Sequence, residues 1–214
     1  MKIAKYLIGV GSVALAVAAH AAPFSEGFDN VAGLGAAGWV QVNLGAAPTN
    51  PWFQGNSGVF TSHLGAPDSY AGANFLSSAT GPISNWLITP EITIGAGASL
   101  TFWTRADAPA LFDDGLEVLF HAGAGTDILT FTSLSSANGA NYPSEWTKFT
   151  LSLPTAATGR IAFRYFGDAA TADYIGLDSV SVAAAPAIPE PSTYALIALG
   201  LAGLALVRRN RRAA

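Results

Sequence analysis

The chain has 214 residues, half of them hydrophobic and only 11% charged, with a formal net charge of −4. That length gives one domain of ordinary size with a sizeable core. It contains no cysteine, which excludes disulfides, thiolate metal sites and cysteine nucleophiles.

Residues 1–21 read as a secretory signal peptide. Lys2 and Lys5 form a positive start, residues 6–19 are apolar, and Ala19-His20-Ala21 is a small-x-small cleavage site, which puts the cut after Ala21. The body, 22–183, carries four basic and thirteen acidic residues up to Pro189, a net −9. So acidic a body does not bind nucleic acid by neutralising phosphates, whereas it suits a divalent cation or plain solubility outside the cell.

Within the body, Gly, Ala, Ser, Thr, Asn and Pro recur about every ten residues between short runs rich in β-branched and aromatic residues. The weaker strand candidates are 39–43, 59–61, 71–75, 85–88, 128–133 and 146–151. The stronger ones alternate strictly. Over 99–105, Leu100, Phe102 and Thr104 oppose Thr101, Trp103 and Arg105. Over 116–121, Leu116, Val118 and Phe120 oppose Glu117, Leu119 and His121. Over 160–166, Ile161, Phe163 and Tyr165 face one way. The last strand, 175–182, changes phase at Asp178-Ser179, which predicts a bulge. No window shows a 3.6-residue apolar period. The expected fold is all-β: a two-sheet antiparallel, jelly-roll-like β-sandwich with a hydrophobic helix after it.

Residues 184–193 form a proline-bearing linker that ends in Pro189-Glu190-Pro191. Residues 194–207 carry no charge and are followed by Arg208, Arg209, Arg211 and Arg212 in the 208–214 tail. As a helix the apolar run reaches about 21 Å, short of a ~30 Å hydrocarbon core, so it is a short membrane helix helped by snorkelling arginines. The arginines belong on the cytoplasmic side and the body on the other, in agreement with the signal peptide.

Pro189-Glu190-Pro191, the apolar run and the arginine cluster together resemble the PEP-CTERM sorting signal of Gram-negative bacteria that make exopolysaccharide. The resemblance implies a precursor held at the inner membrane, processing by an exosortase-like enzyme, and delivery to the cell surface or extracellular matrix. The body resembles the choice-of-anchor J domain, which is similar to cleaved-adhesin and MAM-like sandwiches. The matching pieces are Phe24-Ser25-Glu26-Gly27-Phe28-Asp29, Asn85-Trp86-Leu87-Ile88-Thr89-Pro90, Asp114-Gly115-Leu116-Glu117-Val118 and Ile175-Gly176-Leu177-Asp178-Ser179-Val180. That family has no single activity. The resemblance implies a binding or structural module that contacts polysaccharide or matrix protein in a biofilm; an adhesin-like protein-binding module is the alternative.

In jelly-roll sandwiches the first and last strands often lie side by side. Glu26 and Asp29 on the first and Asp178 on the last are therefore candidate oxygen ligands for a structural calcium ion, against the plainer reading of solvated turn carboxylates. Asp107, Asp113, Asp114 and Glu117 flank a loop carrying Phe112, so Phe112 and Asp113 are candidate contacts for a sugar or cation, or simply a solvated turn. Trp52, Tyr70 and Tyr142 lie in Gly-, Asn- and Pro-rich stretches; exposed, Trp52 and Tyr70 would stack on sugar faces, and otherwise they pin loops to the core. No catalytic residues are assigned. After signal removal only His63 and His121 remain as histidines, no nucleophile motif accompanies them, and Glu117 with Glu145 is the sole glycosidase-type pairing to consider.

Overall fold

A computed structural model describes residues 24–108, 111–154, 156, 158–183, 196–203 and 208. Twelve strands build two antiparallel sheets. They are β1 (Phe24–Glu26), β2 (Val40–Asn43), β3 (Phe53–Gln54), β4 (Ala71–Asn74), β5 (Pro82–Ile88), β6 (Ile92–Thr93), β7 (Ser99–Ala106), β8 (Gly115–Ala122), β9 (Thr132–Asn138), β10 (Thr147–Ser152), β11 (Thr158–Asp168) and β12 (Tyr174–Ala183). One sheet runs β10-β7-β12-β4-β3, with β1 also paired to β12. The other runs β2-β5-β11-β8-β9, with β6 also paired to β11. The fold is an all-β sandwich.

The alternation of the long strands is what closes the sandwich. On β7, Leu100, Phe102, Thr104 and Ala106 are buried while the residues between them are half-exposed. From the facing sheet, β8 contributes Leu116, Val118 and Phe120, and β11 contributes Ile161, Phe163 and Tyr165. Phe102 meets Phe163 edge-on across the interior at 5.4 Å and stacks on Phe149 of β10 at 5.3 Å. Burying each such side chain stabilises the fold by about 1.5–3 kcal/mol.

Both outer faces are also partly covered. Trp86, Ile88, Leu119 and Ala162 form a second apolar cluster on the β5-β11-β8 face, against which Ile128 and Phe131 pack. On the opposite sheet Phe60, Tyr70 and Tyr174 form a third cluster, flanked by Phe53 and Trp146. The segment between β3 and β4 thus folds over its own sheet. It can do so because Gly72 and Gly176 are cross-strand partners. A β-carbon on Gly176 would lie 2.8 Å from both Phe60 and Trp146, and one on Gly72 would lie 2.5 Å from the Tyr174 hydroxyl. The two glycines leave a smooth strip for flat rings.

The expected phase change in the last strand is a bulge: the β12–β7 register shifts between Asp178 and Ser181, and Ser179 has φ +51°. Two expectations differ. Residues 59–61 are not a strand; Phe60 is buried by ring packing, not by pairing. Residues 128–133 split into a 3-10 turn at Ile128–Thr130, capped by Asp127, and the start of β9. The short strands β3 and β6 lack any alternating pattern long enough to read in sequence.

Residues 196–203 are helical, as expected, and among the described residues no helix is long and apolar enough to cross a membrane. The signal peptide with Ala19 and Ala21, and the sorting residues Pro189, Glu190, Pro191, Arg209, Arg211 and Arg212, lie outside the described residues; Arg208 is described as helical.

Candidate functional site

β2 ends one side of its sheet and β3 ends one side of the other, and residues at the two edges line one cleft, which marks a seam of the sandwich. The Trp52 indole N–H donates across the seam to the Asn85 carbonyl of β5 at 3.2 Å and ties the sheets together there. Beside this tie lies a cleft of about 520 Å³. Its walls are Trp39 and Gln41 at β2, Pro51 to Gln54 at β3, and Val31, Ala32 and Gly35 from the turn after β1. None of these residues is charged.

Gln54 shapes the cleft. Its amide nitrogen donates to the carbonyls of Phe28 (2.8 Å) and Asp68 (2.6 Å), and its oxygen accepts from the Val31 N–H (2.9 Å). Those bonds lock the 3-10 turn Val31–Gly33 against β3. Trp39 is buried beside the Phe24 and Phe28 rings, 5.9 and 5.6 Å away, and its indole N–H meets no acceptor among the described residues. Gln41 is exposed on the edge strand.

The rings expected to be exposed are not. Trp52 is 2% exposed and Tyr70 fully buried, so neither offers a free face for stacking on a sugar. The Tyr70 ring centroid lies 5.1 Å from that of Phe60; its hydroxyl has the carbonyls of Asn56 (2.9 Å) and Phe60 (3.1 Å) in reach of its one proton and accepts from the Asn56 N–H. Tyr142 is also buried; its hydroxyl shares a hydrogen bond with Thr104. A ring buries more apolar area by folding back on the sheet than by standing in water; the glycine strip gives Tyr70 room, while Trp52 and Tyr142 join the main core. Phe112 is half-buried and Asp113 exposed.

β1 and β12 do pair, with Glu26 opposite Val180. Asp178 is fully buried beneath the segment His63–Gly65. One carboxylate oxygen accepts from the N–H groups of His63 (2.9 Å) and Leu64 (3.1 Å), the other from the Ser179 N–H (2.5 Å) and hydroxyl (3.2 Å). Asp29 lies beside that segment, where a β-carbon on Gly65 would come within 3.3 Å of it. Glu26 accepts from the Phe28 N–H at 2.8 Å. As arranged, Glu26 and Asp178 serve backbone donors, and among the described residues no three His, Asp or Glu side chains converge as a metal cage.

At the sandwich's other end Asp114 is fully buried. Its Oδ1 accepts from the Tyr165 hydroxyl (2.6 Å) and the Asp173 N–H (3.0 Å), and its Oδ2 has no partner among the described residues. Burial pushes the Asp114 carboxyl above its ordinary value, against the pull of those two donors. Asp173 is raised as well, by burial and then by the charge of Asp107. Burial likewise raises Asp178, although its amide donors favour the charged form.

The two glutamates do not form a glycosidase pair. Glu117 on β8 binds Arg164 at 2.6 Å on one outer face, while Glu145 is 84% exposed and pairs with Arg105 of the other sheet at 3.6 Å. His63 stacks on Trp103 at 3.7 Å and bonds through Nδ1 to the Ser179 hydroxyl at 3.1 Å. Asp178 touches that hydroxyl and not the imidazole ring, so the acid does not orient a base as a hydrolytic triad requires.

Sequence reasoning missed Gln41, Phe53 and Gln54 as parts of one site. Trp39-Val40-Gln41 and Trp52-Phe53-Gln54 each place an aromatic two residues before a glutamine. Only the pairing of the sheets shows that the two pieces face each other.

A family model of the Cleaved Adhesin Domain matches residues 22–182, and a model of the PEP-CTERM protein-sorting motif matches residues 187–212. Among solved structures, the chain is similar to the K1 cleaved adhesin domain of Lys-gingipain from Porphyromonas gingivalis W83. Identity is 25% and the TM-score 0.59, over 77% of this chain and 99% of that one. The K2 and K3 cleaved adhesin domains of Lys-gingipain, K3 also from P. gingivalis W83, share the fold. Their identities are 20% and 23%, and their TM-scores 0.57 and 0.55, over 75% and 76% of this chain and 99% and 98% of theirs. No curated protein matches the chain in sequence. The β-sandwich, with its paired first and last strands, and the match across residues 22–182 place this chain in the Cleaved Adhesin domain family, as an exported protein bearing a PEP-CTERM sorting motif.

Proposed function

We propose that the chain is a non-catalytic binding module that an exosortase-type enzyme processes at its tail and delivers to the cell surface or exopolysaccharide matrix of a Gram-negative bacterium. The observation that carries this reading is the pair of family matches in sequence: an adhesin domain over 22–182, followed directly by a sorting motif over 187–212. A binding domain followed by a sorting address suits a protein that works by being held in a place. The uncharged cleft between β2 and β3 gives the domain a contact surface, and the acidic surplus keeps the rest of it soluble and self-repelling. Polysaccharide or a matrix protein is the partner in this reading.

The test is localisation of the full chain and of Glu190→Ala. The full chain is expected in the surface or extracellular fraction and the variant in the inner membrane, unprocessed. Equal distribution of the two would remove the sorting claim.

Calcium at the β1–β12 corner is a separate proposal. It is supported by the nearness of Asp29 and Asp178 to one segment, His63–Gly65, and by the pairing of β1, which carries Glu26, with β12. The ion would take the Asp178 carboxylate from its amide donors, so its affinity must outweigh those bonds.

A further inference from the structure

We propose that the end of the sandwich around Asp114 is a proton-operated clamp. With the Asp114 carboxyl neutral, the turn Gly139–Asn141 and the segment before β12, residues 169–173, are held closed on the start of β8. As the carboxyl ionises, the two open together while the strands stay folded. Asp114 is the point where these parts of the chain are tied. Its backbone carbonyl accepts from the Gly139 N–H at 2.9 Å, and its side chain accepts from the Asp173 N–H at 3.0 Å. One residue earlier, the Asp113 N–H donates to the Thr171 carbonyl at 2.8 Å. The Tyr165 hydroxyl of β11 donates at 2.6 Å to the same side-chain oxygen as the Asp173 amide. Both side-chain bonds thus fall on Oδ1, and Oδ2 is buried with no partner among the described residues.

A fully buried carboxylate with one bare oxygen is costly to keep charged, and the neutral acid much less so, because it takes no net charge out of water. The surroundings add to that cost. The titratable groups facing Asp114 are Tyr165, Tyr142 from beyond the turn Gly139–Asn141, and Asp173, with Asp107 next to Asp173. None supplies a positive charge, and Arg105 and Arg164 pair instead with Glu145 and Glu117. Burial raises the Asp114 carboxyl; Asp173 is raised by burial and then by the charge of Asp107, so the two titrate in the same sense. The closed clamp therefore holds its proton more tightly than the open one. It is complete below about pH 4, the ordinary carboxyl value, and loosens as pH rises through the raised value. The opening is local because β8 and β11 keep their own pairing, from Gly115 opposite Phe166 to Ala122 opposite Gly159.

The experiment is amide hydrogen exchange on the full chain in detergent, with excess chelator, from about pH 4 to 8. Rates are corrected for the intrinsic pH dependence of exchange. The reporters are the amides of Asp113, Gly139 and Asp173, the three donors that tie this end. Their protection is expected to fall by up to about tenfold per pH unit between the ordinary and the raised carboxyl values, then to level off. Amides of β11 should keep their protection. Asp114→Asn keeps an acceptor for Tyr165 and cannot ionise, so the fall should flatten. Tyr165→Phe removes a donor to the charged form, so the fall should move to higher pH. The carbon-13 shift of the Asp114 carboxyl follows its titration in the unmutated chain, whatever the variants do to folding. The proposal is overturned if that carboxyl titrates at or below its ordinary value, or if the three amides ignore pH. It is overturned equally if the fall is as steep in Asp114→Asn, or if β11 loses protection in step, which would be global unfolding and no clamp.

Discussion

Asp114 makes the sharpest demand of any single residue on its surroundings. It is buried at the start of β8, with one oxygen held by Tyr165 and the Asp173 N–H and the other unpartnered. Desolvation raises its folded value above the ordinary ~3.9, so the stability it contributes is complete below about pH 4 and declines as pH rises through the raised value. Asp114→Asn keeps an acceptor for Tyr165 and removes the titration. Denaturant midpoints measured from pH 4 to 8 should show the wild type losing stability relative to Asp114→Asn as pH rises. A difference that stays constant with pH would contradict this account. Asp178 shows the same tension with the balance less clear-cut, because four donors face its two oxygens.

The segment between β3 and β4 depends on two strands having no side chain beneath it. Gly176→Ala would push a methyl group into Phe60, Trp146 and Tyr70, at a cost of about 1–3 kcal/mol. Hydrogen exchange across residues 55–70 should speed up in that variant while β8 and β11 stay protected; exchange unchanged in the segment would mean that the rings do not rely on the glycine. The corner where β1 meets β12 is tested by melting in calcium and in excess chelator. Saturating calcium at about a hundred times its dissociation constant adds ~2.7 kcal/mol, a rise of several degrees for a domain of this size. That rise should vanish in Asp178→Ala. No rise in the wild type rules the ion out.

Across the molecule, what the sequence made legible was what local alternation encodes. β7, β8 and β11 alternate over six or seven residues and β12 alternates on either side of a phase change, so their inward faces and the bulge at Asp178-Ser179 could be read directly. The site could not. Tyr70 sits in a loop-like stretch whose burial depends on rings folding back over the glycines of β4 and β12, Trp52 is drawn into the main core by its bond to β5, and the cleft depends on two sheet edges meeting across about a dozen residues of chain. Edge position follows from global pairing and leaves no trace in either short segment. The account as a whole joins an adhesin sandwich to a sorting address, and its parts act in series: export, processing at the tail, then binding outside. The most direct measurement is the intact mass of the protein recovered from outside the cell. The account predicts a chain that starts at Ala22 and has lost the arginine cluster at 208–212; an extracellular protein with the mass of all 214 residues would contradict it.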